Sequence, residues 1–319
     1  MTSFDDYLID NDINKQNLSL LVKDFKKEVF VPFIGAGCSL PLGSPNWEGL
    51  FEKLTKKYNK RINLRKSKDG TLDFPRLFSK LYNKLPPQNN FYKDLFEILE
   101  PTITSGTFTH IHLIDAFNSY LTTNYDCPIE KAYLLRKQKE LKKYYLFCPI
   151  PDTNFNNCIV YLHGHKDINF AVIKENDYQY FYPSISDKLG IPVLEDFLKY
   201  ILEKKKIIFV GFSFLDRYLI KFLKSFSKNT NKHFLLTDEN SDIYKRYMDI
   251  AEGYRKEGES MEAQKQESKF YDTFKDDFNI LPIVYKANLH IFLESLFKRF
   301  SSTDKISIEQ KPISGVPVL

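Results

Sequence analysis

Four short segments combine residue types that can hold a nucleotide or move a proton. Phe33-Ile34-Gly35-Ala36-Gly37-Cys38-Ser39 puts small residues directly after an apolar run. Such a turn lets backbone N–H groups approach a pyrophosphate, and a following helix N-terminus adds a favourable field. The full G-x-G-x-x-G fingerprint is not met, because Leu40 holds the last position, so a plain tight turn is the alternative. Leu121-Thr122-Thr123-Asn124-Tyr125-Asp126 ends a second apolar run. Polar side chains at the carboxyl end of a parallel strand face the ligand crevice, and an Asx turn closing the strand is the competing account. In an extended chain Asn124 and Asp126, two apart, point the same way. Val160-Tyr161-Leu162-His163-Gly164-His165 ends a third run in histidines, whose imidazole titrates near neutrality. The pair His163 and His165 suggests a metal, but no third ligand is evident, so none is assigned. Val210-Gly211-Phe212-Ser213-Phe214-Leu215-Asp216 has the form of a second nucleotide-contacting turn; a helix cap is the alternative, and the two are compatible.

These segments need strands to position them. Apolar runs predict strands over 29–34, 120–123, 158–162, 207–210, 233–236 and 280–285. Pro32 is awkward inside a central strand. Continuous apolar strands alternating with amphipathic stretches argue for a parallel sheet covered on both faces. After Gly211, the residues Leu215, Tyr218, Leu219, Phe222, Leu223 and Phe226 recur at helical spacing. Ser213 and Asp216 there resemble a capping box. The expectation is an α/β, Rossmann-like, doubly wound parallel sheet over residues 1–300. Helical insertions are expected near 53–105, rich in Lys, Arg and Asn over its first part, and near 238–270; residues 301–319 form a polar, flexible tail.

Bulk properties narrow the classes. The chain has 319 residues, of which 43 % are hydrophobic, enough for a core and too many for a disordered chain. The formal charge of +5 is a small excess, so obligatory nucleic-acid binding is not implied. The basic residues Lys56, Lys57, Lys60, Arg61, Arg65, Lys66 and Lys68 read as a solvated loop. The four cysteines, Cys38, Cys127, Cys148 and Cys158, form no C-x-x-C pair, so neither a zinc module nor a bound metal is expected. The polar, acidic N-terminus is not a signal peptide, and no apolar run nears the roughly 18 residues of a membrane span. A soluble cytoplasmic protein without a membrane partner is the expectation.

The order of the four segments resembles the sirtuin family, in particular the bacterial sirtuin-like NAD hydrolases of anti-phage defence. In sirtuins a G-A-G-x-S loop holds the NAD phosphates, and Gly35, Ala36, Gly37 and Ser39 match it. A T-Q-N-I-D segment contacts ribose and the nicotinamide amide. Thr122, Thr123, Asn124, Tyr125 and Asp126 stand there, with Thr for Gln and Tyr for Ile, close to the form of the defence branch. His163-Gly164 matches a strand-terminal H-G, and Gly211 and Ser213 match a later G-x-S that contacts the nucleotide. The sirtuin deacylase pattern G-I-P-D-F-R is replaced by Gly43-Ser44-Pro45-Asn46-Trp47-Glu48. The two C-x-x-C pairs that follow H-G in deacylases are missing between His163 and Gly211.

The resemblance implies a NAD glycohydrolase that uses NAD as its substrate, with water as acceptor and no metal. Asn124 and His163 would be catalytic. Gly35, Ala36, Gly37, Ser39, Thr123, Asp126, Gly211, Ser213 and Asp216 would bind the dinucleotide. Alternatives are a NAD-dependent protein deacylase, or a non-catalytic NAD or ADP-ribose sensor within a nuclease or ATPase complex. No separate regulatory domain is visible in the sequence. Activation is therefore expected from a homo-oligomer, or from a complex with a helicase-like ATPase or a short Argonaute.

Overall fold

The computed structural model describes residues 4–27, 29–64, 72–101, 108–146, 155–227 and 231–302. Its centre is a seven-stranded sheet of order β3-β4-β2-β1-β7-β8-β9. The strands are β1 (Phe30–Ile34), β2 (Ser119–Thr122), β3 (Lys142–Tyr145), β4 (Cys158–Tyr161), β7 (Lys206–Val210), β8 (His233–Asp238) and β9 (Ile280–Tyr285). Every pairing in it is parallel. A separate two-stranded hairpin, β5 (Gly164–His165) with β6 (Phe170–Ala171), is antiparallel.

The apolar runs split between two faces with the strand period of two. In β7, Ile207 and Phe209 belong to one buried cluster, and Ile208 and Val210 to the other. The first cluster is closed by α7 (Glu175–Phe181), α8 (Pro183–Ser186), α9 (Val193–Lys204), α10 (Arg217–Phe226), α11 (Asp242–Lys256) and α12 (Ser260–Phe278). The second is closed by α1 (Asp12–Phe25), α5 (Phe108–Ala116), α6 (Pro128–Lys137) and α13 (Leu289–Ser302). This is the expected doubly wound α/β arrangement.

Pro32 does lie in a central strand. The β1–β2 ladder pairs only Phe33 with Leu121 and Ile34 with Thr122, so it starts just past the proline, whereas β7 pairs with all of β1. β3 was not expected: Lys142-Lys143-Tyr144-Tyr145 is an edge strand with no buried face, and so leaves no apolar run to read.

Of the stretch near 53–105, residues 53–64 and 72–101 belong to a helical cap, and residues 65–71 and 102–105 lie outside the described residues. α2 (Trp47–Lys57), α3 (Phe74–Tyr82) and α4 (Phe91–Leu99) enclose their own core of Leu50, Phe51, Leu54, Leu77, Phe78, Leu81, Phe91 and Leu95. The same cluster takes in Tyr125, just beyond β2, and Trp47 packs edge-on against that ring at 6.3 Å. The cap is therefore anchored at the carboxyl edge of the sheet. The stretch near 238–270 is part of the crossover from β8 to β9, not an excursion from it. Phe270, Tyr271 and Phe274 of α12 enter the main core. α13 continues to Ser302, past the boundary expected for the tail, and residues 303–319 lie outside the described residues.

Candidate active site at the carboxyl edge of the sheet

From β1 the chain moves to β2 on one side, and β7 later pairs on the other. Connections thus diverge at the β1–β7 boundary, where open α/β sheets form their ligand crevice. The loops after these two strands meet there. Gly35 N donates to Val210 O at 2.9 Å and Gly37 N to Gly211 O at 2.8 Å. A Cβ on Gly35 would lie 2.3 Å from Gly211 O, and one on Gly211, whose φ is +63°, would lie 2.6 Å from Cys38 N. The glycines therefore serve loop-to-loop contact. This differs from the expectation that their amides face a pyrophosphate: besides those two bonds, Cys38 N and Ser39 N donate to Gly35 O and Ala36 O. Ala36 and Ser213 are exposed and Gly37 half-buried, so these residues form the open surface of the paired loops.

The capping box expected at Ser213 is not formed. Phe214 takes a left-handed φ of 51°, which turns the chain and delays the helix. Asp216 itself caps α10, its Oδ1 accepting from Tyr218 N and Leu219 N at 3.0 Å each. Its Oδ2 lies 3.8 Å from His163 Nε2. Asp216 thus faces the imidazole and the helix end at once.

Asn124 and His163 follow neighbouring strands. Thr122 pairs with Tyr161 as the last step of the ladder, and Leu162 N donates to Thr122 O at 2.9 Å; Asn124 and His163 each stand two residues past that pair. The strand end is closed by Thr122, whose Oγ1 accepts from Asn124 N and donates to Ile34 O, both at 2.9 Å. An Asx turn by Asn124 is not what ends the strand. Thr123 is half-buried, while Asn124 and Asp126 are each 9 % exposed.

Burial dominates the electrostatics. The carboxyl of Asp126 is pushed up to about 6 by desolvation, against the nearby hydroxyls of Ser39 and Ser44, which favour its charged form. Ser44 Oγ donates to Asp126 Oδ2 at 3.3 Å. Ser39 Oγ is buried and makes no hydrogen bond of ordinary geometry, so a polar group in the crevice could satisfy it. His163 is held below its usual pKa by desolvation, which the charge of Asp216 opposes. Its Nε2 lies 3.0 Å from Tyr182 Oη, and Tyr178 packs edge-on against the ring. Tyr178 and Tyr182 support His163 yet carry no recognisable motif; the only trace in the sequence is their four-residue spacing.

The fold also gathers ligand-type residues that the sequence did not connect. Cys127 Sγ and Glu130 Oε1 each lie 3.1 Å from His165 Nε2, so His165 gathers ligand types without His163, which faces Tyr182 and Asp216 instead. His112, His290 and Glu294 form a second such group.

Residues 118–260 match the SIR2-like domain family. The matched stretch includes Asn124, His163 and the turn from Gly211 to Asp216, while the Gly35 loop lies ahead of it. The NAD(+) hydrolase ThsA of Acinetobacter baumannii (strain 532279) is 26 % identical over 295 residues, covering 88 % of this chain and 55 % of that protein. The chain thus spans about half the length of that curated relative. A solved structure described as the structural basis for the mechanism and regulation of Sir2 enzymes aligns over 90 % of this chain and 98 % of its own, at a TM-score of 0.43 and 11 % identity.

Proposed function

We propose that this SIR2-like chain is a NAD hydrolase that cleaves the nicotinamide–ribose bond to give nicotinamide and ADP-ribose. The reading rests chiefly on the β2–β4 ladder, which ends two residues short of both Asn124 and His163, at the edge that carries the paired Gly35 and Gly211 loops. The similarity to a protein named as a NAD(+) hydrolase supports it.

Nicotinamide is a cationic leaving group, so bond cleavage needs little acid catalysis. The site's task is to hold a developing ribose cation, orient water and exclude other acceptors. Asn124 orients the ribose or the water. His163, kept neutral by burial, takes a proton from a ribose hydroxyl or from water. Asp126 accepts from the carboxamide, with Thr123 and Ser39 beside it. Gly35, Ala36, Gly37, Gly211 and Ser213 flank the dinucleotide, and Asp216 holds His163 from behind. Water is the acceptor in this reading because the deacylase-type cysteine pairs are missing.

We further propose that the activity depletes NAD in anti-phage defence within the cytoplasm. It would be switched on by self-assembly, or by a helicase-like ATPase or short Argonaute partner. Incubating the purified chain with NAD, alone and with candidate activators, and separating products by chromatography tests the reaction. Nicotinamide and ADP-ribose are expected in equal amounts; intact NAD in every assembly state refutes hydrolysis.

A further inference from the structure

We propose that Cys127, Glu130 and His165 form a binding site for a divalent transition metal of the zinc class, beside the SIR2-like crevice. Cys127 caps α6 and Glu130 occupies the third position of that helix, so the two project from one turn. His165 comes from β5, two residues past His163. Cys127 and His165 are buried, and Glu130 is partly open, with 19 % of its side chain exposed, which gives an ion a way in.

Three observations favour an ion over a closed hydrogen-bond network. His165 Nε2 has two neighbours at 3.1 Å, Cys127 Sγ and Glu130 Oε1; one N–H can point at only one of them. All three ligand atoms lie within 4.8 Å of one another. Bonds of about 2.0–2.3 Å to a common tetrahedral centre set ligand atoms about 3.3–3.8 Å apart, so a small shift of the side chains would admit an ion. The surroundings also suit coordination. His165 Nδ1 accepts from Asp167 N at 3.2 Å and lies 3.5 Å from Asp167 Oδ2, so binding of a metal at Nε2 shifts the ring proton to Nδ1, where that carboxylate is placed to take its hydrogen bond. Tyr161 Oη donates to Glu130 Oε1 and orients that carboxylate.

The donor set combines a thiolate, a neutral imidazole and a carboxylate, which suits zinc and cobalt better than calcium or magnesium. Binding releases the Cys127 thiol proton to solvent and forms a metal–sulfur bond. The two ligand charges then neutralise the dication; Lys143 pairs with Asp167 and reaches Glu130 Oε2 at 3.3 Å, on the oxygen away from His165, while Lys131 and Lys166 share Glu100. Cys127 adjoins Asp126, so the ion would tie the loop after β2 to the β5–β6 hairpin and fix the crevice wall.

The test uses cobalt(II) as probe on the full chain, stripped with chelator, in a His290→Asn background that removes the second ligand group. The expected result is a thiolate-to-cobalt charge-transfer absorption with the d–d bands of four-coordinate cobalt. Cys127→Ser should abolish the charge-transfer band. Glu130→Gln and His165→Gln should each weaken cobalt binding on the order of tenfold or more. No such band in the folded chain, or a band unchanged in Cys127→Ser, overturns the proposal.

Discussion

On the β1–β7 side of the crevice, Gly35, Gly37 and Gly211 hold two loops together through backbone atoms alone. On the β2–β4 side, Asn124, Asp126 and His163 are set by side chains: Thr122 Oγ1 holds Asn124 N, Ser44 meets Asp126, and Tyr182 and Asp216 face His163. The difference predicts two kinds of failure. The glycine side has no side chains to trim, so any substitution there disturbs geometry, hence fold and nucleotide binding together. The side-chain half has reactive groups that can be removed while the sheet beneath them stays packed, so loss there falls on rate.

The largest separation is expected from Asn124→Ala and His163→Ala. Each should lower nicotinamide release on the order of 10² or more, the scale of a general base. NAD affinity and thermal unfolding should stay near the parent values. Turnover that falls only in proportion to lost folded protein would erase the distinction between the two sides. Gly35→Ala probes the other half. The added methyl would meet Gly211 O at 2.3 Å, and overpacking of this kind costs about 3 kcal/mol. Denaturant unfolding and NAD binding should weaken in parallel; a stable variant with intact affinity would show that the loops need not touch.

Tyr182→Phe is a finer probe. It removes only the hydroxyl 3.0 Å from His163 Nε2. The expected loss is about threefold to tenfold in kcat, the rate equivalent of one neutral hydrogen bond, with KM little changed. A KM effect instead would assign Tyr182 to substrate binding. The smallest effect lies away from the crevice and serves as a control. His233, at the amino end of β8, accepts from Ile207 N through Nδ1. Burial pushes it down to about 3, and His110 likewise to about 4. As pH falls below about 6.5, the unfolded chain takes up protons that these folded histidines refuse, so stability declines with acidity and is flat above that point. His233→Gln should reduce the slope of the unfolding midpoint against pH between 6.5 and 5, while leaving turnover at neutral pH unchanged. An unaltered slope would show that His233 titrates normally.

The apolar runs made six of the seven main strands legible to within a residue or two, because buried parallel strands are apolar on both faces. β3 escaped because an edge strand needs no such pattern. Asn124, Asp126 and His163 were legible as polar residues at strand ends. Asp216 was picked out, but its role was not: a capping box at Ser213 looked sound until Phe214 turned the chain. Tyr178 and Tyr182 were invisible, since aromatics at helical spacing usually mean core, and here they are core as well as support for His163.

The sequence by itself determined the layered α/β class, the order of the four segments and the types of side chain at each strand end. Local patterns of burial and turn chemistry are enough for that. Only the tertiary structure decided why Gly35 and Gly37 must be glycines, since their neighbour Gly211 is some 170 residues away in the chain, a separation of the kind that local spacing cannot encode. It likewise decided that Cys127, Glu130 and His165 share one point. The Cys127–Glu130 spacing is set by a helix turn, but His165 arrives only because β4 pairs beside β2, a register fixed by packing across the whole sheet.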